Sequence, residues 1–503
     1  MQRPAPFTAK TLTLAGCAAA ALCAGLVLAA PESALAKDDC AAMTAPGLFD
    51  HTAVTSARAV AADPAKKTPG YCEITAVVTP TPGSTIGVVY RLPESWNGKM
   101  LGLGGGGWAG NVRIETAAPG LAQGYATAQT DGGHATTGPW DTAWAANPES
   151  ITDFSYRAIH LMTAVGKQVV ARYYGKPQSK AYYQGCSTGG RQGLMEVQRF
   201  PDDYDGVIAG APVYNLLVQI SAVLRDKTFN ASRGFTADQL KLVNDTVLKA
   251  CDAKDGLADG IITDPTACKW DPAEIQCKAG APGPGCLSEG QVTALRTVYD
   301  GIRQVDGRTA AWPLSRGGET GWSQFIQTSS DKPDTSNGGG FGGLRAQLTG
   351  DPNFDIGKFD PDRDLAKVRS SAFARGYEAN DPAIGAFTRH GKLLMWHGWY
   401  DPGPSPVGTI TYFNQVQGSV PDAASNVRLF LAPGVYHCGG GPGPDQIDLV
   451  GALDRWVETG QAPATLLATK RNAKISRPLC PYPAEPHYKG SGDPDDAASF
   501  ECR

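Results

Sequence analysis

The sequence predicts an α/β fold in which helices cover both faces of a mostly parallel sheet. Short β-prone runs end abruptly at glycine-rich or polar loops, and helical patterns lie between them. Strands that alternate with helices indicate a parallel sheet, because each parallel connection needs a crossover. Four strand-to-loop transitions follow one another: residues 99–103 before four glycines, 181–184 before Ser187, 393–396 before His397, and 427–431 before His437.

Three segments show helical periodicity. The first is amphipathic and runs from about residue 155 to 174. The second follows Ser187 and ends before Pro201, and the third runs from about residue 446 to 458. These helices would supply the layers that cover the sheet.

The first 36 residues have the features of an export signal. Arg3 and Lys10 precede an apolar, alanine-rich run, and an Ala-Leu-Ala sequence at positions 34–36 offers a cleavage site. We expect the mature chain to begin near Lys37 and to be secreted or periplasmic. No later stretch is long and apolar enough to span a bilayer, so no membrane anchorage is expected.

The charge balance argues against a nucleic-acid partner. The chain has a formal net charge of −4 and no block of basic residues. A zinc hydrolase is not expected either, because no His-x-x-x-His motif or Cys/His cluster is present. The sequence does not define the oligomeric state.

Cysteine usage agrees with export. Two of the 12 cysteines lie in the predicted signal, and the even number that follows it suggests full pairing in an oxidising compartment. Sequence alone leaves the connectivity open. Proximity along the chain suggests four pairs and leaves Cys186–Cys438 as the fifth; the four are Cys40–Cys72, Cys251–Cys268, Cys277–Cys286 and Cys480–Cys502.

Ser187 is the candidate nucleophile. It lies in a Gly-Cys-Ser-Thr-Gly sequence at positions 185–189, between a β-prone run and a helical pattern. This context is typical of a nucleophile elbow, in which small residues are needed because the turn is strained and chains approach closely. The alternative is a glycine-rich turn with a bystander serine.

His437 is the candidate general base. It follows a predicted strand and precedes Cys438, as Cys186 precedes Ser187. A bridge between these cysteines would hold the serine and the histidine within a few ångströms of each other. His397 also follows a strand, but it precedes the candidate aspartate.

Asp401 is the candidate acid that orients the histidine, because it follows the preceding strand. Asp445 and Asp448 are alternatives, although they lie where a helix begins and carboxylates commonly cap helices. The order Ser187, Asp401, His437 is the order of the α/β-hydrolase fold. Such a triad transfers acyl groups through attack by the serine.

The oxyanion of that reaction needs two backbone donors. One is expected from the N–H of Thr188, directly after the nucleophile, and the other from the glycine run, where Gly106 and Gly107 are candidates. The alternative for this run is a flexible turn. A phosphate-binding loop is disfavoured, because no Lys-Ser or Lys-Thr follows the glycines.

An acidic segment predicts a calcium loop. Asp252, Asp255 and Asp259 are close enough for one loop to wrap an ion, and the carbonyl oxygens of Leu257 and Ile261 could complete an oxygen shell. Hard oxygen ligands in an exported protein favour Ca²⁺ over Mg²⁺ or Zn²⁺. A solvated acidic turn is the alternative.

Taken together, these motifs resemble the tannase/feruloyl esterase family, which also contains mono(2-hydroxyethyl) terephthalate hydrolase. The resemblance covers essentially the whole mature chain. It implies an α/β-hydrolase core in two parts, residues 37–213 and 385–503, with a large lid domain inserted at residues 214–384. It also implies that the lid carries a structural calcium loop and that the Cys186–Cys438 bridge joins the triad loops.

The resemblance further implies an ester hydrolase whose lid selects a small aromatic ester. Candidate substrate contacts lie in the predicted lid, where aromatic residues are nevertheless more often core: Trp322, Phe325, Phe341, Leu344 and Arg345. We favour a feruloyl-esterase-like activity, with gallate esters (tannase) and terephthalate monoesters as alternatives. A hypothesis of another class is a catalytically inactive, calcium-stabilised binding protein, against which the intact triad argues.

Overall fold

The computed structural model describes residues 40–136, 138–278, 283, 285–328 and 339–503. The predicted signal peptide lies outside these residues. The strands are β1 (Thr52–Val60), β2 (Tyr71–Val78), β3 (Ile86–Pro93), β4 (Lys99–Leu103), β5 (Ala126–Thr130), β6 (Lys180–Cys186), β7 (Gly206–Gly210), β8 (Ile302–Arg303), β9 (Thr309–Ala311), β10 (Lys392–Gly398), β11 (Val427–Ala432), β12 (Gln446–Ile447), β13 (Leu466–Thr469), β14 (Ser476–Leu479), β15 (Pro486–Tyr488) and β16 (Phe500–Cys502).

A nine-stranded sheet in the order β1-β2-β3-β5-β4-β6-β7-β10-β11 organises the molecule. The pairings among β1, β2, β3 and β5 are antiparallel, and every pairing from β5 to β11 is parallel. The four predicted strands are β4, β6, β10 and β11. They all lie in the parallel part, as predicted, and their carboxyl ends therefore meet at one edge of the sheet.

Helices cover both faces of the sheet, which confirms the predicted α/β fold class. They are α1 (Ile114–Ala122), α2 (Pro148–Thr152), α3 (Ala158–Tyr174), α4 (Thr188–Arg199), α5 (Leu217–Ala231), α6 (Ala237–Cys251), α7 (Glu289–Asp300), α8 (Arg345–Thr349), α9 (Pro361–Arg369), α10 (Ala372–Tyr377), α11 (Gly385–Thr388), α12 (Pro406–Ser419), α13 (Ala423–Asn426) and α14 (Leu449–Thr459).

Strand β6 shows how the sheet divides the core. Helices α3, α4 and α12 pack on one face, and α1 and α14 pack on the other. Tyr183 lies in the first of these clusters, and its neighbour Tyr182 lies in the second. Both side chains are fully buried, which explains why the strand is apolar on both faces rather than alternating.

Two predicted helices begin later than expected. Gln446 and Ile447 form β12 instead of the first turn of α14, because Asp448 caps this helix by accepting a hydrogen bond from the Gly451 N–H at 2.9 Å. Before α3, residues Asp153–Arg157 form a π-helical turn.

The segment between β7 and β10 contains the predicted lid residues. Its described residues add no strand to the nine-stranded sheet; they form helices α5 to α11 and the small β8–β9 pair. Part of it packs in a separate apolar cluster, in which Trp108 and Phe154 from the core lie beside Leu224 and Phe373.

All five predicted disulfides are present, the four paired by proximity and the remaining pair, Cys186–Cys438. Their Cα–Cα distances are 5.6 Å for Cys40–Cys72, 6.0 Å for Cys186–Cys438, 5.5 Å for Cys251–Cys268, 4.9 Å for Cys277–Cys286 and 5.7 Å for Cys480–Cys502. Among the described residues, no helix has both the length and the apolar character needed to cross a bilayer.

Candidate active site

Ser187 lies at the turn between β6 and α4, in a strained backbone conformation with φ of 64° and ψ of −124°. The surrounding hydrogen bonds fix this turn. The Ser187 N–H donates to the Gly210 carbonyl at 3.0 Å, and its own carbonyl accepts from the N–H groups of Arg191 and Val213. The predicted nucleophile elbow is therefore formed, since a non-glycine residue at positive φ persists only where its neighbours hold it.

Close chain approach explains the glycines of the elbow. A Cβ atom on Gly185 would lie 2.4 Å from backbone atoms of Gly189, and one on Gly104 would lie 2.6 Å from the Gly189 Cα. No side chain fits at these distances. The glycine run after β4 therefore packs directly against the start of α4, beside the nucleophile.

His437 and Asp401 form a hydrogen-bonded pair, as predicted from their positions after β11 and β10. The His437 Nδ1 lies 2.7 Å from the Asp401 Oδ2, and the aspartate is fully buried. Burial alone would raise the pKa of Asp401, but the charge of His437 and hydrogen bonds from His397 and His437 lower it to about 2. Asp401 is thus an ionised acceptor that can orient the imidazole.

His397 is a second partner of the same carboxylate, which the sequence did not predict. Its Nε2 lies 3.1 Å from the Asp401 Oδ2 and 3.1 Å from the Pro404 carbonyl, and its Nδ1 lies 2.8 Å from the Thr409 Oγ1. Since both neighbours of Nε2 are acceptors, this network assigns the proton to Nε2. The only sequence signal for His397 was its place at the end of a strand.

Arg225 also holds the Asp401 loop. This buried arginine of α5 donates through its Nη atoms to the carbonyls of Pro402, Gly403 and Trp312, at 3.2, 2.9 and 2.9 Å. Burial lowers its pKa to about 10, against the opposing charge of Asp401. One weak signal of this role is present in the sequence, where Arg225 directly follows a mostly apolar stretch at residues 216–224.

The disulfide between Cys186 and Cys438 joins the two loops that carry the serine and the histidine. Its sulfur on Cys438 lies 3.7 Å from the His437 Nε2. The bridge closes a loop with a sequence separation of 252 residues, for which chain entropy suggests a stabilisation of roughly 5 kcal/mol. Its position next to both catalytic candidates indicates a positional role as well.

Replacing both cysteines, Cys186→Ala with Cys438→Ala, is expected to lower kcat on the order of 100-fold, with KM changed much less. A displacement of about 1 Å between reacting groups has an effect of this size. The melting temperature should also fall. The control is Cys277→Ala with Cys286→Ala, which opens a short loop with a separation of 9 residues. Equal kcat values for the two double variants would contradict a positional role.

The structure distinguishes between the two glycines that were predicted as backbone donors to the oxyanion. The N–H of Gly106 donates to the Ala109 carbonyl at 3.2 Å, so it is committed within a turn and our assignment of this residue as a donor is corrected. Gly107 lies at φ of 60°, and its carbonyl accepts from the Thr188 Oγ1 at 2.6 Å. This contact places Gly107 beside Thr188, whose N–H is in the first turn of α4 and has no intrahelical acceptor.

A cavity of about 410 Å³ opens onto these residues. Ser187, Thr188, His437, Gly106 and Gly107 all line it. The remaining wall is largely apolar and comes from both the core and the segment between β7 and β10: Trp108, Pro139, Trp140, Val213, Val218, Gln219, Ala222, Arg225, Gln324, Phe325, Ile326, Gly339, Pro402, Gly403 and Pro404, with the Cys186–Cys438 bridge.

Phe325 is the predicted substrate contact that the structure places at this cavity. Its ring packs edge-on against the His437 ring, with the ring centroids 4.8 Å apart. It packs edge-on against the Trp140 ring as well, with the centroids 6.2 Å apart. Trp140 was not predicted, because the segment that carries it is far in sequence from the predicted lid. Phe325 and Trp140 together form an aromatic wall next to the histidine.

The other predicted substrate contacts lie elsewhere. Trp322 is buried against Phe229 and Tyr299, and Phe341 packs against Phe359. Leu344 is fully buried, and Arg345 donates from Nε to the Gly342 carbonyl at 2.5 Å. None of these four is among the described side chains that line the cavity, so we no longer assign them to the substrate. The apolar character of Trp322, Phe341 and Leu344 reflects core packing.

The predicted calcium loop is folded around its aspartates. Asp252 accepts from the N–H groups of Gly260 and Ile261 at 2.8 and 3.1 Å, and Asp255 accepts from Leu257 at 3.1 Å. Burial and then the charges of the other two loop carboxylates, first that of Asp259, raise the pKa of Asp252.

Arg477, which lies outside this loop, contacts it, and this contact was not predicted. Arg477 pairs with the Oδ2 of Asp259. The other oxygen of that carboxylate accepts from the Ile261 N–H at 3.1 Å. The arginine therefore offsets part of the negative charge that the three aspartates bring together.

Comparisons with known proteins agree with this geometry. Residues 72–503 match the family described as tannase and feruloyl esterase. The mono(2-hydroxyethyl) terephthalate hydrolase of Piscinibacter sakaiensis is 32% identical, over 86% of this chain and 85% of that protein. A probable feruloyl esterase of Arthroderma benhamiae is 33% identical, over 83% of this chain and 82% of that protein.

Solved structures show the same relationship. Feruloyl esterase B from Aspergillus oryzae superimposes with a TM-score of 0.84 and 28% identity, covering 93% of this chain and 100% of that one. The match to the family extends over the sheet strands that follow β1, the elbow, the Asp401 and His437 loops and the segment between β7 and β10. The chain therefore belongs to the tannase and feruloyl esterase family of carboxylic ester hydrolases.

Proposed function

We propose that this protein is an exported serine esterase that hydrolyses esters of neutral aromatic acids, with hydroxycinnamate esters such as ferulates as its preferred class. The observation that carries the proposal is the aromatic, largely apolar cavity onto which Ser187 and His437 both open. Export is supported by the five disulfides, which require an oxidising compartment.

In the proposed reaction, the Ser187 Oγ attacks the ester carbonyl while His437 takes the hydroxyl proton. The oxyanion is bound by the N–H groups of Thr188 and Gly107. The histidine then gives its proton to the departing alcohol, which leaves an acyl group on Ser187. Water, activated by the same histidine, releases the acid and restores the serine, while Asp401 stabilises the imidazolium throughout.

Arg225 supports the choice of a neutral acyl group. It is the only lysine or arginine among the described residues that line the cavity, and both of its Nη atoms donate to protein carbonyls. Among the described residues of the cavity wall, the carboxylate of a terephthalate monoester would thus meet no cation other than this arginine, of which only the Nε is without a partner. Leaving such a group unpaired when it is desolvated costs on the order of 2–3 kcal/mol or more.

A hydrolysis comparison tests this selectivity. Purified mature protein should be assayed with methyl ferulate, methyl gallate and mono(2-hydroxyethyl) terephthalate. We expect kcat/KM for methyl ferulate to exceed that for the terephthalate monoester roughly 100-fold, which corresponds to the free-energy difference above. A preference for the terephthalate monoester would overturn the choice of acyl group but not the esterase chemistry, and a preference for methyl gallate would place the protein with the tannases.

We further propose that the loop from Asp252 to Ile261 binds Ca²⁺ as a structural ion. Three carboxylates in one loop, two of them with pKa values raised first by burial, form a donor set that suits a hard cation. The Ile262 N–H donates to the Tyr400 hydroxyl at 2.8 Å, and Tyr400 precedes Asp401. Calcium bound here would stiffen the support of the catalytic acid without contacting the substrate.

Removal of calcium is expected to lower the melting temperature by about 3 °C relative to protein at 100 times the dissociation constant, given the entropy of unfolding of a chain this long. Differential scanning calorimetry with EGTA, followed by addition of Ca²⁺ or Mg²⁺, measures this shift. Only Ca²⁺ should restore it, and Asp252→Asn should abolish it. An unchanged melting temperature would contradict the assignment, as would immediate loss of activity in fully folded protein.

A further inference from the structure

Three potential metal ligands converge at a place that the proposed esterase chemistry does not use. His160 comes from α3, Glu196 from α4 and Asp203 from the loop between α4 and β7. One ligand atom from each side chain lies within 4.8 Å of the other two. The closest pair is the His160 Nδ1 and the Asp203 Oδ2, at 2.7 Å.

Glu196 is the least satisfied member of this cluster. The residue is 1% exposed, and in its ionised form neither carboxylate oxygen has a hydrogen-bond donor. Burial, the charge of Asp203 and a hydrogen bond that the two carboxyl groups share when one of them is protonated raise the pKa of Glu196 well above its ordinary value, while Lys167 and Arg191 act in the opposite direction. A buried carboxylate without donors is costly, and either a proton or a bound cation removes that cost.

We propose that His160, Glu196 and Asp203 form a binding site for a divalent transition metal, with Zn²⁺ as the ion of choice. One imidazole nitrogen and two carboxylate oxygens are a donor set that suits zinc better than calcium or magnesium. Zinc takes nitrogen and oxygen ligands at about 2.0–2.2 Å, so it would replace the direct His160–Asp203 hydrogen bond and draw Glu196 toward both.

The cluster is accessible to an ion from solvent, and a neighbouring aromatic ring holds the His160 imidazole in place. The His160 side chain is 32% exposed, and the Asp203 side chain is 14% exposed. The His160 ring stacks on Phe200 at a centroid distance of 3.9 Å, which limits its rotation. Lys167 is a competing cation, but its Nζ donates to the carbonyl of Asp202.

The position of the cluster indicates a structural role for the metal. Glu196 lies nine residues after Ser187 on the elbow and α4, which is about 13 Å along a helix axis. The ion would therefore clamp α3 to the far end of α4 and would not touch the substrate. It is distinct from the proposed calcium loop, which follows α6 and holds oxygen ligands alone.

A zinc titration tests the proposal. Calcium-loaded, zinc-free protein competes for Zn²⁺ with a chromophoric chelator, for wild type, His160→Asn and Glu196→Gln. The control is His390→Asn, which changes an exposed histidine outside the cluster. We expect one site in wild type and in the control, with affinity at least about 100-fold weaker in both cluster variants, since even outer partners of metal ligands contribute 10–100-fold. Anomalous scattering from zinc-soaked crystals should place the ion between the three side chains.

Equal zinc affinity in wild type and His160→Asn would overturn the proposal. So would the absence of any zinc site in folded wild-type protein, which would mean that Glu196 and Asp203 share only a proton. His160→Asn is a partly exposed change, and its melting curve shows whether the fold is retained. Both cluster variants retain the triad, so loss of zinc binding with normal ester hydrolysis supports this site independently of the proposed function.

Discussion

Ser187→Ala is expected to reduce kcat for ester hydrolysis on the order of 10⁶-fold, by comparison with other hydrolases of the Ser–His–Asp type. The variant removes the Oγ that attacks the carbonyl and leaves the oxyanion donors in place. The fold should be unaffected, because the elbow is held by backbone hydrogen bonds to Gly210, Arg191 and Val213. Alanine at φ of 64° carries the same backbone strain as serine.

The measurement pairs steady-state kinetics on methyl ferulate with a melting curve by circular dichroism. Ser370→Ala is the matched control, since this serine lies on the surface after α9 and its hydroxyl donates only locally, to the Lys367 carbonyl. Retention of more than about a tenth of the wild-type rate by folded Ser187→Ala would exclude this residue as the nucleophile.

Asp401→Asn should reduce kcat on the order of 10⁴-fold, as in other triads. The Oδ2 accepts from both His437 and His397, and the Oδ1 accepts from the Gly403 N–H at 2.8 Å. An asparagine has only one acceptor oxygen, so it cannot accept both from the histidines and from the Gly403 N–H. If its amide faces the histidines, His437 must take the wrong tautomer, and if it faces Gly403, two N–H groups oppose each other.

The pH dependence of the wild-type enzyme adds a check on Asp401. Its pKa is lowered to about 2, so the carboxylate is ionised at every pH well above that value. Because a depressed carboxyl pKa adds stability above its unfolded value of about 3.9, this contribution is lost progressively as the pH falls from about 3.9 through about 2. Any decrease of kcat on acidification that occurs well above a pH of about 3.9 must therefore come from the protonation of another group.

Asp445→Asn is the control for this variant, because Asp445 is the alternative acid in the sequence. It accepts from the Gly440 N–H at 2.7 Å and lies near Lys470, away from the His437 Nδ1. We expect its kcat to stay within about threefold of wild type. If Asp445→Asn lost activity and Asp401→Asn did not, the assignment of the acid would have to be reversed.

The sequence predicted the triad because each member leaves a local signal. Gly185 and Gly189 flank Ser187 where a side chain would collide with the backbone, and Asp401 and His437 follow strands of one parallel sheet. The adjacent cysteines added a covalent constraint between distant segments. Each of these signals depends on residues within a few positions of the site.

The oxyanion hole and the cavity wall were less predictable, because they depend on contacts between distant segments. The commitment of the Gly106 N–H to Ala109 is a detail of one turn. The aromatic wall combines Phe325 with Trp140 from the core segment before α2, and Arg225 reaches the Asp401 loop from α5. No periodicity separates Phe325, which lines the cavity, from Trp322, which is buried three residues earlier.

The central claim is that Ser187 forms an acyl-enzyme in a working ester hydrolase, rather than being an inert residue in a binding protein. The most direct test is to treat the purified mature protein with a fluorophosphonate probe and to locate the adduct by peptide mass spectrometry. We predict one adduct, on Ser187, with loss of methyl ferulate hydrolysis in proportion to labelling. An unlabelled Ser187 in folded protein, or an adduct on another serine with the same loss of activity, would contradict it.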